Sequence, residues 1–134
     1  LSLAARVLGV AAVAARVEPI MFSKTFRADR SREAERAFWR RQLTANRRTI
    51  YRAVNGVIER RGVYDELSRV TVPTLVAVGD EDVATVPSRA ERIHGAIRGS
   101  RLVRIPGAGH SSAVEQPARV NAAIDEFLAS LPQP

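Results

Sequence analysis

A chain of 134 residues has room for one compact domain. Its 46% hydrophobic and 26% charged residues exclude a disordered tail, a collagen and a multi-domain machine. With no cysteine it carries neither a disulfide framework nor thiolate chemistry, and with only two histidines, His94 and His110, a zinc site would have to lean on carboxylates, so no metal is expected.

Residues 1–17 are apolar and alanine-rich, broken by Ser2, Arg6 and Arg16. The longest apolar run, Val7 to Ala15, falls well short of the ~20 residues needed to span a bilayer, so a buried or interfacial helix is expected and no membrane partner. Arg6 also divides any signal-peptide core ahead of Ala12-Val13-Ala14. Glu18-Pro19 should end this helix, because the residue before proline is pushed out of the helical region. A second helix, capped by Asp29 or Ser31, carries Ala34, Ala37, Phe38 and Trp39 toward Leu43. A third, capped by Asn46, repeats Ile50, Ala53, Val54, Val57 and Ile58 at helical spacing and stops at Gly62.

This helical stretch also holds the charge. The chain is formally +7, and residues 21–61 alone contain twelve basic and four acidic side chains, against seven and nine in residues 62–134. Such clustering can serve a polyanion. However, Arg32, Arg36 and Arg40 fall at i, i+4 and i+8 with Glu33 and Glu35 between them, the pattern of a solvated helix face. No nucleic-acid-binding motif accompanies them, so no nucleic-acid partner is expected.

After a turn at Tyr64–Arg69 and Pro73, the pattern changes. Thr74-Leu75-Val76-Ala77-Val78, stopped by Gly79, predicts a buried parallel strand. Pro87 opens a helix through Ile97. Gly99-Ser100 turns into a second strand, Arg101-Leu102-Val103-Arg104-Ile105, and Pro106-Gly107-Ala108-Gly109 forms a loop. Pro117 starts a last helix with an apolar stripe of Val120, Ala123, Ile124, Phe127, Leu128 and Leu131. Strand–helix–strand–helix implies a right-handed crossover in a parallel sheet. Two strands do not complete such a sheet, so the sequence predicts half of a fold whose remaining strands lie upstream.

Functional side chains of parallel sheets gather beyond the carboxyl ends of the strands. Two loops occupy that position: Gly79-Asp80-Glu81-Asp82 and onward to Pro87, and Gly107-Ala108-Gly109-His110. With neighbouring strands, Asp82 and His110 share one rim. A carboxylate there can accept the imidazole Nδ1–H and support Nε2 as a base. Asp80 is the fallback acid, Glu81 a solvated turn residue, and His94 a mid-helix surface residue.

These residues carry a resemblance. Val72-Pro73-Thr74-Leu75-Val76-Ala77-Val78-Gly79-Asp80-Glu81-Asp82, then Leu102-Val103-Arg104-Ile105-Pro106-Gly107-Ala108-Gly109-His110, then Glu115-Gln116-Pro117 and Phe127-Leu128, resemble the C-terminal part of an α/β-hydrolase. The resemblance implies an α/β fold in which residues 1–69 are a helical lid and residues 70–134 the C-terminal part of the core. It maps the triad acid to Asp82 and the triad histidine to His110. The implied parent is a cofactor-free serine hydrolase, cytoplasmic, acting on an ester, lactone or similar small carbonyl substrate. Its nucleophile and oxyanion hole would lie in the missing N-terminal half of the fold, leaving this chain inactive alone.

Three look-alikes compete. Gly109-His110-Ser111-Ser112-Ala113 approximates the G-x-S-x-G elbow, but no histidine follows it and a loop separates it from the strand. Gly107-Ala108-Gly109 begins a dinucleotide fingerprint but has Ser112 where the third glycine belongs. Ser112 with Glu115 fits a capping box. Met21, Phe22, Phe26, Phe38 and Trp39 are either core or the lining of an acyl pocket. The rival reading of the whole chain is a non-catalytic basic helical module that binds through the arginines of residues 27–61.

Overall fold

β-Branched and apolar side chains between two glycine-marked turns give the chain its sheet. In the computed structural model, which describes residues 10–45 and 49–132, strands β1 (Leu75–Gly79) and β2 (Arg101–Ile105) pair in parallel, with Leu75 opposite Arg101 and Gly79 opposite Ile105. Helix α5 (Pro87–Ala96) forms the crossover, and α7 (Pro117–Ala129) follows the short α6 (Ser112–Glu115). Ahead of the sheet lie α1 (Val10–Met21), α2 (Lys24–Ala28), a 3₁₀ turn at Arg30–Arg32, α3 (Glu33–Thr44), α4 (Ile50–Glu59) and a second 3₁₀ turn at Tyr64–Arg69. Among the described residues no helix is long and apolar enough to cross a membrane.

The chain divides into two compact units, one of Leu1–Pro19 with Arg27–Gly62, the other of Ile20–Phe26 with Val63–Pro134. Every buried residue among those described belongs to the second unit. Val78, Ala90, Ile97, Ile105, Ala108 and Ala123 form its apolar core together with Phe22 and Phe26, whose rings stack at 5.2 Å. These two phenylalanines are therefore core. On α7 the apolar stripe is only partly covered, since Ile124 and Leu128 remain 42% and 53% exposed.

In the first unit, three arginines bond within the unit. Arg32 grips Glu35 through Nε and Nη2 at 2.8 and 2.9 Å, and Arg40 grips Glu18 at 2.9 and 3.0 Å. Arg36 donates to the carbonyls of Arg27 and Asp29. Asp29, expected with Ser31 as a cap of α3, instead caps the 3₁₀ turn before it, accepting from the Ser31 amide at 2.9 Å, while α3 itself starts from Arg32 with no side-chain cap bond. The expected Asn46 cap and the apolar residues before Val10 lie outside the described residues.

The helix expected to stop at Glu18-Pro19 instead runs on to Met21. The proline sits in its last turn, where only one i→i−4 bond is lost, and the Met21 carbonyl accepts the Ser111 amide at 2.9 Å. Tertiary bonding beyond the proline thus overrides a local preference. Helix α4 ends at Glu59, three residues before Gly62, because Arg60 is already extended. His94 lies in the last turn of α5, half-buried, with Nδ1 2.8 Å from the Ser100 Oγ, and so is neither mid-helix nor free on the surface.

Gly79 sets how closely the two rim loops approach. A Cβ there would collide with the carbonyls of Ala108 and Gly109, and main-chain bonds from Asp80 to Ile105 and from Glu81 to Ala108 zip the loops together beyond the strands. Backbone cannot yield as a side-chain tip can. Gly79→Ala is therefore expected to lower the unfolding free energy by about 1–3 kcal/mol, read as a lower urea midpoint at unchanged slope.

Candidate active site

Asp82 and His110 are held by the loops after β1 and β2. The Asp82 amide bonds back to the Gly79 carbonyl at 3.2 Å, a tight turn that sends its side chain inward, and the residue is 6% exposed. One carboxylate oxygen, Oδ1, accepts the amides of Ala84 and Thr85, each at 2.8 Å. The other, Oδ2, accepts the Thr85 hydroxyl at 2.7 Å and lies 3.0 Å from His110 Nδ1. The Thr85 Oγ1 is also 3.2 Å from that nitrogen. The His110 side chain is 37% exposed against 5% for Asp82, so the imidazole bridges a buried carboxylate and open space.

The electrostatics follow from these contacts. Burial, the largest single influence, pushes the Asp82 carboxyl upward. The hydrogen bonds from the Thr85 amide and hydroxyl, from His110 and from the Ala84 amide together outweigh it and hold the carboxyl below its ordinary value of 3.8. Asp82 is thus an anion at neutral pH, suited to accept Nδ1–H and leave Nε2 as the proton acceptor.

The other acidic residues of the first loop face elsewhere. Asp80 accepts Arg104 Nε at 2.6 Å, and Arg104 also reaches Glu91 at 3.1 Å. Glu81 was expected to be a solvated turn residue, yet it is half-buried and accepts both the amide (3.1 Å) and the hydroxyl of Thr25. Burial raises its carboxyl, and the Thr25 bonds together with the Lys24 charge and amide more than compensate, leaving it lowered.

The capping box expected of Ser112 and Glu115 does not form. Ser111 occupies the cap position of α6 without a side-chain cap bond, and Glu115 turns into the interior at 1% exposure. There its Oε1 accepts the Gly109 amide at 3.0 Å and its Oε2 the Ser23 amide at 2.9 Å. Buried amides attract the carboxylate more than a solvated helix start does. Ser23 in turn donates its hydroxyl to the Gly107 carbonyl at 3.0 Å. Sequence reasoning missed this brace. Glu115, five residues after His110, stands in the Glu-Gln-Pro stretch already singled out, but nothing in the sequence points to Ser23. The Asp82-x-x-Thr85 spacing, by contrast, is that of a local Asx-type turn and could have been read.

Ser111 is not built as a strained nucleophile elbow. Its backbone sits at φ −92°, ψ 45°, and no described residue other than glycine has a positive φ. No group of three or more metal-ligating side chains occurs among the described residues. A cavity of about 320 Å³ lined by Val63, Tyr64, Leu67, Arg89, Arg92 and Ile93 involves neither Asp82 nor His110.

This arrangement can be set beside known proteins. The model of the Alpha/beta hydrolase family matches residues 2–123. The chain belongs to that family. Its architecture is accordingly that of a partial alpha/beta-hydrolase domain, helices followed by a small parallel sheet. The enol-lactonase of Burkholderia xenovorans LB400 superposes with a TM-score of 0.86 at 25% identity, over 96% of this chain and 48% of its own. A thermophilic esterase from Thermogutta terrifontis superposes at 0.83 with 29% identity, over 96% and 47%. In sequence, a proline iminopeptidase of Saccharolobus solfataricus is 38% identical over 73 residues, 54% of this chain and 23% of that protein. This alpha/beta-hydrolase chain therefore spans about half the length of the solved relatives and less of the iminopeptidase.

Two outcomes follow from the buried carboxylates. Because the folded Asp82 titrates below the unfolded group, its stabilising contribution is complete above the unfolded value and is lost as pH falls through the folded one. Asp82→Asn should flatten the loss of stability below about pH 4, measured as urea midpoints at successive pH values. Equal slopes in the two proteins would contradict the charge state assigned here. Glu115→Ala strands two buried amides and should cost about 2–4 kcal/mol in the same unfolding assay, with Glu115→Gln, which keeps one acceptor oxygen, losing about half as much.

Proposed function

We propose that this chain supplies the acid and base of a serine hydrolase acting on an ester, lactone or similar small carbonyl substrate. The observation that carries the reading is the 3.0 Å contact between His110 Nδ1 and a buried Asp82 at the carboxyl end of a parallel sheet. An enol-lactonase and an esterase among the structural relatives support the choice of substrate class.

In the proposed cycle, His110 Nε2 takes the proton of a serine hydroxyl as that oxygen attacks the substrate carbonyl. The imidazolium formed keeps its Nδ1–H on Asp82. It then returns the Nε2 proton to the leaving alkoxide, and a second round with water releases the acid. The serine and the oxyanion-hole amides are assigned to the half of the fold that the relatives have and this chain does not match. Residues 1–69 supply a helical lid and residues 70–134 the C-terminal part of the core, except that Ile20–Phe26 and the residues from Val63 pack in the same compact unit as the core. No nucleic acid, membrane or cofactor has a part in this scheme. Arg32, Arg36 and Arg40 support that reading because they bond to acidic side chains and carbonyls of their own unit.

The test is hydrolysis of p-nitrophenyl acetate by the 134 residues alone and by the same residues joined to the remaining half of the fold. The joined protein should turn over, and His110→Ala should lower its kcat about 10²–10⁴-fold. The chain alone should release no nitrophenol in a His110-dependent way. His110-dependent turnover by the chain alone would refute the placement of the nucleophile, and indifference of the joined protein to His110→Ala would refute the base assignment. Strongly salt-dependent binding to a polyanion, with no hydrolysis, would favour the basic module instead.

A further inference from the structure

Residue 85 is the only one bonded to both oxygens of the Asp82 carboxylate in the bonds described above. Its amide meets Oδ1 at 2.8 Å and its hydroxyl meets Oδ2 at 2.7 Å. Two attachment points from one residue fix the carboxylate plane, so that one oxygen is presented to the imidazole.

The same hydroxyl closes a triangle with Asp82 Oδ2 and His110 Nδ1, with sides of 2.7, 3.0 and 3.2 Å. Three polar atoms share these three edges, and the available protons decide which state is stable. The carboxylate can only accept. The Thr85 proton lies on the shortest edge, toward Oδ2, so the oxygen's lone pairs are left for the ring nitrogen. A neutral imidazole with a bare Nδ1 would then face two acceptors and no donor. A ring carrying Nδ1–H satisfies both, through a shared bond to Oδ2 and Oγ1.

We infer that Thr85 is a positioning residue for His110: its hydroxyl locks the Asp82 carboxylate and adds a second acceptor for Nδ1–H, which fixes the tautomer with Nε2 free. This inference rests on the hydrolase reading for its catalytic consequence, but the tautomer itself is observable without any substrate. It asks nothing of Thr85 in contact with the reacting atoms. The hydroxyl acts through Asp82 and His110.

The experiment uses the joined protein, with side-chain ¹⁵N spectra of its histidines in mildly basic solution; His110 is assigned by comparison with His110→Ala. Wild type should show the Nδ1–H form at His110. Thr85→Val, which removes the hydroxyl and keeps the shape, should give a mixture of tautomers and lower kcat roughly tenfold at unchanged KM, on the scale of one charge-assisted hydrogen bond. Thr85→Ser should restore both. Amide spectra and urea midpoints establish that each variant is folded, and Thr85→Ala takes the place of Thr85→Val if the latter is not.

An Nε2–H ring in the wild type overturns the inference. So does a folded Thr85→Val protein with wild-type tautomer and kcat, or a Thr85→Ser protein that fails to recover them. A tautomer shift in Thr85→Val without any His110-dependent hydrolysis leaves Thr85 in its positioning role and counts against the hydrolase reading alone.

Discussion

A carboxylate at 1% exposure must find donors, and the way Glu115 finds them organises the second unit. Its two oxygens hold the Gly109 amide on one side and the Ser23 amide on the other. The first bond fixes the backbone one residue before His110. The second ties the Ile20–Phe26 segment to the same loop, with the Ser23 hydroxyl on Gly107 and the Ser111 amide on Met21 completing the seam. Such a seam demands thin backbone at the crossing. A Cβ on Gly109 would lie 2.5 Å from the Ser23 nitrogen and 3.1 Å from Glu115 itself, so the glycine before the histidine is a requirement of this brace.

Much of this was legible because it is local. Both strands, the proline-started helices and the 3₁₀ turn at Tyr64–Arg69 are written in short runs bounded by glycine and proline, and the sequence places Asp82 and His110 on one rim by the rule for parallel sheets. Departures arise where a distant partner decides. Helix α1 continues past Pro19 because Met21 bonds to Ser111, Glu115 ignores its helix start for Ser23, and Glu81 leaves solvent for Thr25. The short helices Lys24–Ala28 and Ser112–Glu115 have too few residues to show a period. Thr85 was within reach, since its bonds to Asp82 span three residues, yet a threonine beside an acid and a histidine draws little notice.

Three of the arginines behind the most conspicuous number in the sequence, its charge, find partners inside the first unit. Arg32 and Arg40 meet acidic side chains and Arg36 meets carbonyls that end one short helix and precede the next turn. Partly exposed pairs of this kind contribute little stability one by one. Bidentate geometry gives them direction instead, orienting neighbouring helices that bury few apolar side chains. The second unit works the other way, with few charges at its rim and each of them aimed: Asp80 at Arg104, Glu81 at Thr25, Asp82 at His110.

The seam between Ser23 and Glu115 joins positions 92 residues apart in the chain. Contacts of that separation close late, because the entropy of the intervening loop must be lost before they form. The strand pair and its crossover can assemble from neighbours, whereas the histidine loop reaches its final shape only when the chain's early segment returns to it. For the same reason no single cut yields two independent pieces. A division at residue 69 would leave both strands intact and yet strip the histidine loop of Ser23, so a protein dissected there would keep its residues in order and lose the brace that aligns them.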